Sequence, residues 1–302
     1  MAAYICNKID PKVPNQKINV GIVQTYCTAD KAENTERFKQ LITKAARNGA
    51  NIICLQELYN TLYFCNIEEY ENFLLAEPSD SLNNKQMATL CKELSVVLVV
   101  PYFEKRASGI FHNSALVIDA DGSILGNYRK QHIPDDPGYY EKFYFTPGDG
   151  GYKCFNTKYG NIGVLICWDQ WFPEASRLTA MTGAEILFYP TAIGWPVGQD
   201  EKLNRKEFEA WQTMMRSHAI ANGVHVVAVN RVGEENDNSF WGGSFIADPF
   251  GEIIYQAPHY EETVHVQQAD LSLTGYFRER WPFFRDRRID TYSDITKLFL
   301  EQ

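Results

Sequence analysis

Short apolar runs of strand length alternate along the chain with stretches of helical periodicity. Residues 18–26 (INVGIVQTY) form the first apolar run, and the polar, proline-bearing residues 1–17 before it read as an arm. In residues 30–48 the apolar positions Phe38, Leu41, Ile42 and Ala45 follow i, i+3, i+4, i+7 spacing, one face of a helix, and Gly49 is placed to end it. Residues 51–57 (NIICLQE) are the next buried strand. A strand, a helix and a strand in succession predict two parallel neighbours. A helix capped by Ser81 is expected over 81–94, a strand over 96–104, and a hairpin over 114–130 turning at Asp121–Gly122.

The second half repeats this order. It holds a strand (161–167), a helix opening at Pro173 and stopped by Gly183, a strand (184–192), a long helix (about 204–222), a strand (225–233) and a hairpin (243–257). Two halves of matching order predict two similar sheets, each with helices on one face. Packed sheet to sheet they give an α+β fold, a four-layer α-β-β-α sandwich. No Gly/Pro/Ser linker divides the halves, so residues 18–292 read as one domain, with 1–17 as the arm and 293–302 as the end. From about residue 271 the chain is polar, aromatic and arginine-rich, a tail expected to dock on something.

Composition narrows the partners. Of the 302 residues, 45% are apolar and 22% charged, a globular balance. The 18 Phe, 17 Tyr and 6 Trp supply a large core and leave room for an aromatic-lined pocket or subunit contact. The net charge is −9 with no long basic stretch, so nucleic acid is not an expected partner. No run approaches the ~18 apolar residues of a membrane span, and no signal-peptide pattern opens the chain, so no membrane and a cytoplasmic setting are expected. The seven cysteines (6, 27, 54, 65, 91, 154 and 167) include no CxxC pair, and no zinc or thioredoxin-type site is signalled.

Three strands end in reactive side chains: Glu57, Lys130 and Cys167. Strand ends converge at one edge of a sheet, where α/β proteins place their sites. Each alone is weak, since surface Glu, solvated Lys and buried Cys are common. Together they are chemically complementary. A thiol must lose its proton to attack a carbonyl or nitrile carbon; Glu57 can accept it; Lys130 can stabilise the oxyanion that forms.

Leu55-Gln56-Glu57, Tyr128-Arg129-Lys130-Gln131-His132 and Gly163-Val164-Leu165-Ile166-Cys167-Trp168-Asp169 resemble the Glu, Lys and Cys motifs of the nitrilase superfamily in order and spacing, over roughly 18–292. The resemblance implies the α-β-β-α sandwich, no metal or organic cofactor, and catalysis through a Cys-bound intermediate. It assigns Cys167 as nucleophile, Glu57 as general base and acid, and Lys130 as oxyanion stabiliser. Glu141 matches a second glutamate of the family that positions substrate or Lys130; an ion pair with Lys142 or another base is the alternative. A homo-oligomer built on a dimer is also implied, with the tail 276–292 as a subunit clasp or as a cover for its own core. Expected substrate contacts are His132, Asp135, Tyr139, Trp168 and Trp195, with loop bonding for His132 and core packing for either tryptophan as alternatives.

Residues 132–145, 190–194 and 286–288 are most similar to the branch that acts on N-carbamoylputrescine, with Asp136 and the segment Trp195-Pro196-Val197-Gly198 as departures. A small-molecule substrate with a terminal amine is therefore expected, paired with Asp135 in preference to Asp136. Carbamoyl-β-amino acids and ω-amides are the nearer alternatives. A non-catalytic sensor or scaffold, or thiol-mediated acyl transfer, are readings of other classes.

Overall fold

The computed structural model describes residues 16–301. The arm expected at 1–17 lies, but for two residues, outside the described residues, and Lys17 already belongs to the first strand. In chain order the elements are β1 (Lys17–Gln24), α1 (Lys31–Arg47), β2 (Ile52–Leu55), α2 (Leu82–Leu94), β3 (Val97–Ala107), β4 (Ile110–Ile118), β5 (Ile124–Arg129), α3 (Glu141–Tyr144), β6 (Cys154–Thr157), β7 (Gly160–Val164), α4 (Pro173–Met181), β8 (Ile186–Pro190), β9 (Gly194–Pro196), α5 (Glu201–Asn222), β10 (His225–Val229), β11 (Val232–Glu235), β12 (Asn238–Trp241), β13 (Phe245–Ala247), β14 (Ile253–Gln256), β15 (Thr263–Asp270) and α6 (Ser272–Arg280).

Two six-stranded sheets share one topology: β15-β1-β2-β3-β4-β5 in one, β6-β7-β8-β10-β13-β14 in the other. In each, three parallel strands are followed by an antiparallel hairpin and preceded by an antiparallel edge strand. Side chains alternate between layers with the period of two that a strand imposes. Ile18, Val20 and Ile22 of β1, Ile52 and Cys54 of β2, and Val97 and Val99 of β3 join Ile162 and Val164 of β7, Ile186 and Phe188 of β8, and Val226 and Ala228 of β10 in one core between the sheets. The intervening Val23, Ile53, Leu55, Leu98 and Val100 pack instead against Phe38, Leu41 and Ile42 of α1 and Met87 and Cys91 of α2. Phe38 is fully buried there, and its truncation to Ala would cost about 3–5 kcal/mol. On the far side, Ala175 of α4 and Trp211, Met215 and Ala219 of α5 cover the second sheet. The layers are α-β-β-α.

Helix boundaries follow local chemistry. Asp30 caps α1 by accepting from the N–H groups of Ala32 and Glu33, and Gly49 turns the chain after it with φ +92°. Ser81 caps α2, and Pro173 opens α4. α5 starts three residues before the expected 204, because Asp200 caps it through Lys202 and Leu203. Its terminator is Gly223 in the left-handed region, so Asn222 is the last helical residue rather than the cap.

Three differences bear on the site. The strand expected at 161–167 ends at Val164, and Cys167 opens a 3₁₀ turn, Cys167–Trp171. The strand expected at 225–233 breaks after Val229, and β11 leaves to form a third, small sheet, β11-β12-β9. Its strands are three or four residues long and carry no periodic signal. The tail divides in two. Phe277 is buried, and Arg278 donates to the carbonyls of Asn222 and Ala184, so α6 covers its own core. Beyond it Trp281, Phe283, Ile289, Leu298 and Phe299 are exposed.

Candidate active site

Glu57 follows β2, and Lys130 follows β5 in the same sheet; Glu141 opens α3. All three are fully buried. Lys130 Nζ lies 2.9 Å from Glu57 Oε1 and 2.9 and 2.7 Å from the two oxygens of Glu141. Asn113 Nδ2 donates to Glu57 Oε1 at 2.7 Å, and the Tyr63 hydroxyl donates to Glu141 Oε1 at 2.7 Å. Glu57 Oε2 is buried with no hydrogen-bond partner, which leaves it free to take a proton. Glu141 therefore pairs with Lys130, and the alternative of a simple pair with Lys142 is not what the fold builds.

Burial alone would strip the Lys130 proton, but Glu141 and then Glu57 outweigh it and hold the ammonium well above its ordinary pKa. Burial pushes the Glu141 carboxyl up to about 7 against the pull of Lys130. Burial, reinforced by Glu57 and opposed by Lys130, raises the Cys167 thiol well above its ordinary range. The resting site therefore pairs a neutral thiol with an ammonium held between two glutamate side chains.

Cys167 has φ +42°, a strained value for a residue with a Cβ, at the turn between β7 and α4. Such a turn lifts a side chain out of the sheet edge, as nucleophile elbows do. Asp169, two residues on and fully buried, holds it in place. It accepts from Ile166 N–H (2.9 Å), the Tyr128 hydroxyl (2.7 Å) and His132 N–H (3.0 Å), and faces His132 Nδ1 at 2.7 Å. Tyr128 and His132 flank Lys130, so one carboxylate ties the cysteine turn to the lysine strand. The helix that opens at Pro173 is separated from the thiol by this turn.

A second buried clamp holds the Glu57 turn. Arg231 donates to the main-chain carbonyls of Glu57 (2.9 Å), Leu58 (3.0 Å) and Thr61 (3.2 Å), and pairs with Glu235 at 2.8 and 3.0 Å. Leu58 sits at φ +48°, a second strained residue beside a reactive one. Glu235 also accepts the N–H of Tyr63, whose hydroxyl reaches Glu141. Arg231 is not singled out by sequence spacing, and Asp169 closes the Cys motif with no role assigned to it there; both are buried charged residues, and burial demands a partner.

Cys167 opens into a cavity of about 400 Å³ with Trp168, Trp171, Tyr139 and Trp241 in its walls. Among the expected contacts, Tyr139 and Trp168 line it. Asp135 does not: it is exposed, and its neighbour Asp136 faces the cavity. Trp195 is not in the wall either, but packs behind Trp241 with ring centres 4.8 Å apart. His132 stacks on Phe172 at 3.7 Å and is engaged by Asp169 rather than by the cavity. Among the described residues, the charged ones that line the cavity are Asp136 and Glu207, both acids. Among the described residues no group of three or more His, Cys, Asp or Glu side chains is arranged to hold a metal ion, and no helix is long and apolar enough to cross a membrane.

The sequence profile described as Carbon-nitrogen hydrolase matches residues 19–279. The chain is 46% identical to an N-carbamoylputrescine amidase of Solanum tuberosum over 94% of its own length and 96% of that protein. It is 42% identical to a citrullinase of Francisella tularensis, covering 93% and 99% of the two chains. The crystal structure of a carbon-nitrogen hydrolase from Helicobacter pylori G27 superposes with a TM-score of 0.91 at 41% identity, over 94% of this chain and 100% of that one.

Proposed function

The chain belongs to the carbon-nitrogen hydrolase family, and from that premise we propose that it hydrolyses N-carbamoylputrescine to putrescine, carbon dioxide and ammonia through an intermediate bound to Cys167. It is an amidohydrolase of linear, non-peptide C–N bonds. The observation that carries the substrate is the charge of the cavity. Its walls are aromatic and its charged lining residues are both acids. A cationic amine finds an acid there, whereas the carboxylate of carbamoyl-β-alanine or of an ω-amide substrate finds no basic side chain among the described residues. Citrulline shares the ureido head and an ammonium, but its α-carboxylate also goes unpaired. Burying an unpaired charge is costly, so discrimination by charge is strong.

In this mechanism the thiol of Cys167 attacks the carbamoyl carbon and passes its proton to the free Oε2 of Glu57. The oxyanion forms against the Lys130 ammonium and the main-chain N–H of Trp168. Glu57 returns the proton to the departing nitrogen, takes one from the water that attacks the Cys-bound carbonyl and passes it to the departing Cys167 sulfur; the carbamic acid released breaks down to carbon dioxide and the second amine. Glu141, shared with Glu57 through Lys130, keeps that ammonium charged and in place. A non-catalytic scaffold has no use for an unpartnered buried carboxylate oxygen beside a buried thiol.

Ammonia release should favour N-carbamoylputrescine over carbamoyl-β-alanine by about 100-fold or more in kcat/KM. Glutamine-type ω-amides, citrulline and a simple nitrile complete the panel. A preference for any carboxylate-bearing substrate overturns the substrate assignment. A cytoplasmic setting and a homo-oligomer built on a dimer belong to the same proposal. The exposed aromatic residues after α6 are the surface that such an oligomer would cover, and a monomer by light scattering at micromolar concentration overturns it.

A further inference from the structure

Two acids face the cavity, and they are not equivalent. Asp136 is exposed on the loop that follows Lys130. A charge so placed is screened by water and salt and contributes little to pairing. Glu207 lies near the start of α5, the longest helix, and is half-buried. Its Oε2 accepts from Gln199 Nε2 at 2.8 Å, and the same amide also holds Asn204 Oδ1 at 2.9 Å. The carboxylate is thus fixed by a neutral amide, which orients it without cancelling its charge. Gln199 and Ala210, one turn further along α5, line the same cavity, the latter leaving space beside the acid. The indoles of Trp168 and Trp171 line the cavity together with Glu207, apolar faces suited to an aliphatic stem.

We infer that Glu207, held by Gln199, is the residue that receives the cationic end of the substrate and sets the preference for an amine. This rests on the proposed N-carbamoylputrescine reading and adds to it a residue on a different element from the 135–136 loop. A fixed, partly desolvated carboxylate pairs more strongly than a mobile exposed one.

The test compares N-carbamoylputrescine with N-butylurea, which keeps the carbamoyl head and the four-carbon stem and replaces the ammonium by hydrogen. Steady-state ammonia release is measured on the wild type, Glu207→Gln and Asp136→Asn. Glu207→Gln should lower kcat/KM for N-carbamoylputrescine by about 30-fold or more, mostly in KM, and leave N-butylurea within about twofold. Asp136→Asn should change either substrate by less than about threefold. Glu207→Lys should raise kcat/KM for carbamoyl-β-alanine at the expense of the amine. Equal losses of Glu207→Gln on both substrates would reduce Glu207 to a structural residue, and a loss confined to Asp136→Asn would move the subsite to the loop; either overturns the inference alone. A wild type that does not prefer N-carbamoylputrescine to N-butylurea overturns the inference and the amine reading together.

Discussion

Replacing Glu141 by Gln removes one of two negative charges that share a single ammonium. Both carboxylates contact Lys130 Nζ at 2.9 Å or less, so their nearest oxygens lie no more than about 6 Å apart. At an effective dielectric of ~20, two unit charges at that distance repel by about 3 kcal/mol, or roughly two pH units. Burial, opposed by Lys130 and reinforced by that repulsion, pushes the Glu141 carboxyl up to about 7. The site needs Glu141 ionised to hold the Lys130 ammonium in place, so kcat/KM should rise with pH through an acidic limb near 7. Glu141→Gln removes the group that titrates there, so the limb near 7 should disappear. The plateau should also fall by about tenfold or more, because Lys130 loses the partner that holds it on two oxygens. Ammonia release from pH 4.5 to 9, with circular dichroism at each pH, reads both effects. A wild-type limb near 4.5, or a limb that stays near 7 in Glu141→Gln, refutes the coupling.

The clamps and the thiol give three further expectations. Arg231→Met breaks a buried pair and should cost about 3–5 kcal/mol in urea unfolding; the milder Arg231→Lys keeps the charge but loses the fork, and should lower kcat with little change in KM. Asp169→Asn loses acceptor capacity at a carboxylate that serves four groups, and should cost about 2–3 kcal/mol and slow turnover; wild-type kcat in either Arg231→Lys or Asp169→Asn would remove that clamp from the mechanism. Iodoacetamide should label Cys167 first, since it is the cysteine that lines the cavity, and faster as pH rises because its thiol is held protonated; peptide mapping with inactivation at another cysteine contradicts this.

Much of the sandwich was legible because its strands are buried on alternating faces and its helices carry strong caps. The apolar quartet of α1, Ser81 and Pro173 each mark an element that the structure keeps. Glu57, Lys130 and Cys167 were legible because each follows an apolar strand, and Glu141 because a family motif marks it. The substrate contacts were less so. Asp135 and Asp136 look alike in sequence, and only the loop path turns the second toward the cavity. Trp195 looks like a wall until Trp241, 46 positions away, takes that place. Glu207 and Arg231 gave no signal: one acid on a polar helix face and one arginine after a strand acquire meaning only from long-range neighbours. Nor does any residue pattern foretell the strained turns at Leu58 and Cys167, which tertiary packing imposes.

In the proposed mechanism the carbonyl of the substrate passes through a covalent bond to Cys167. Wild-type enzyme turning over N-carbamoylputrescine, quenched in acid within one turnover and digested for mass spectrometry, tests it directly. A substrate-derived carbonyl group is expected on the peptide that carries Cys167, absent from Cys167→Ala, which should release no ammonia while keeping its fold. Ammonia release by Cys167→Ala at the wild-type rate, or an adduct on a different residue, would contradict it.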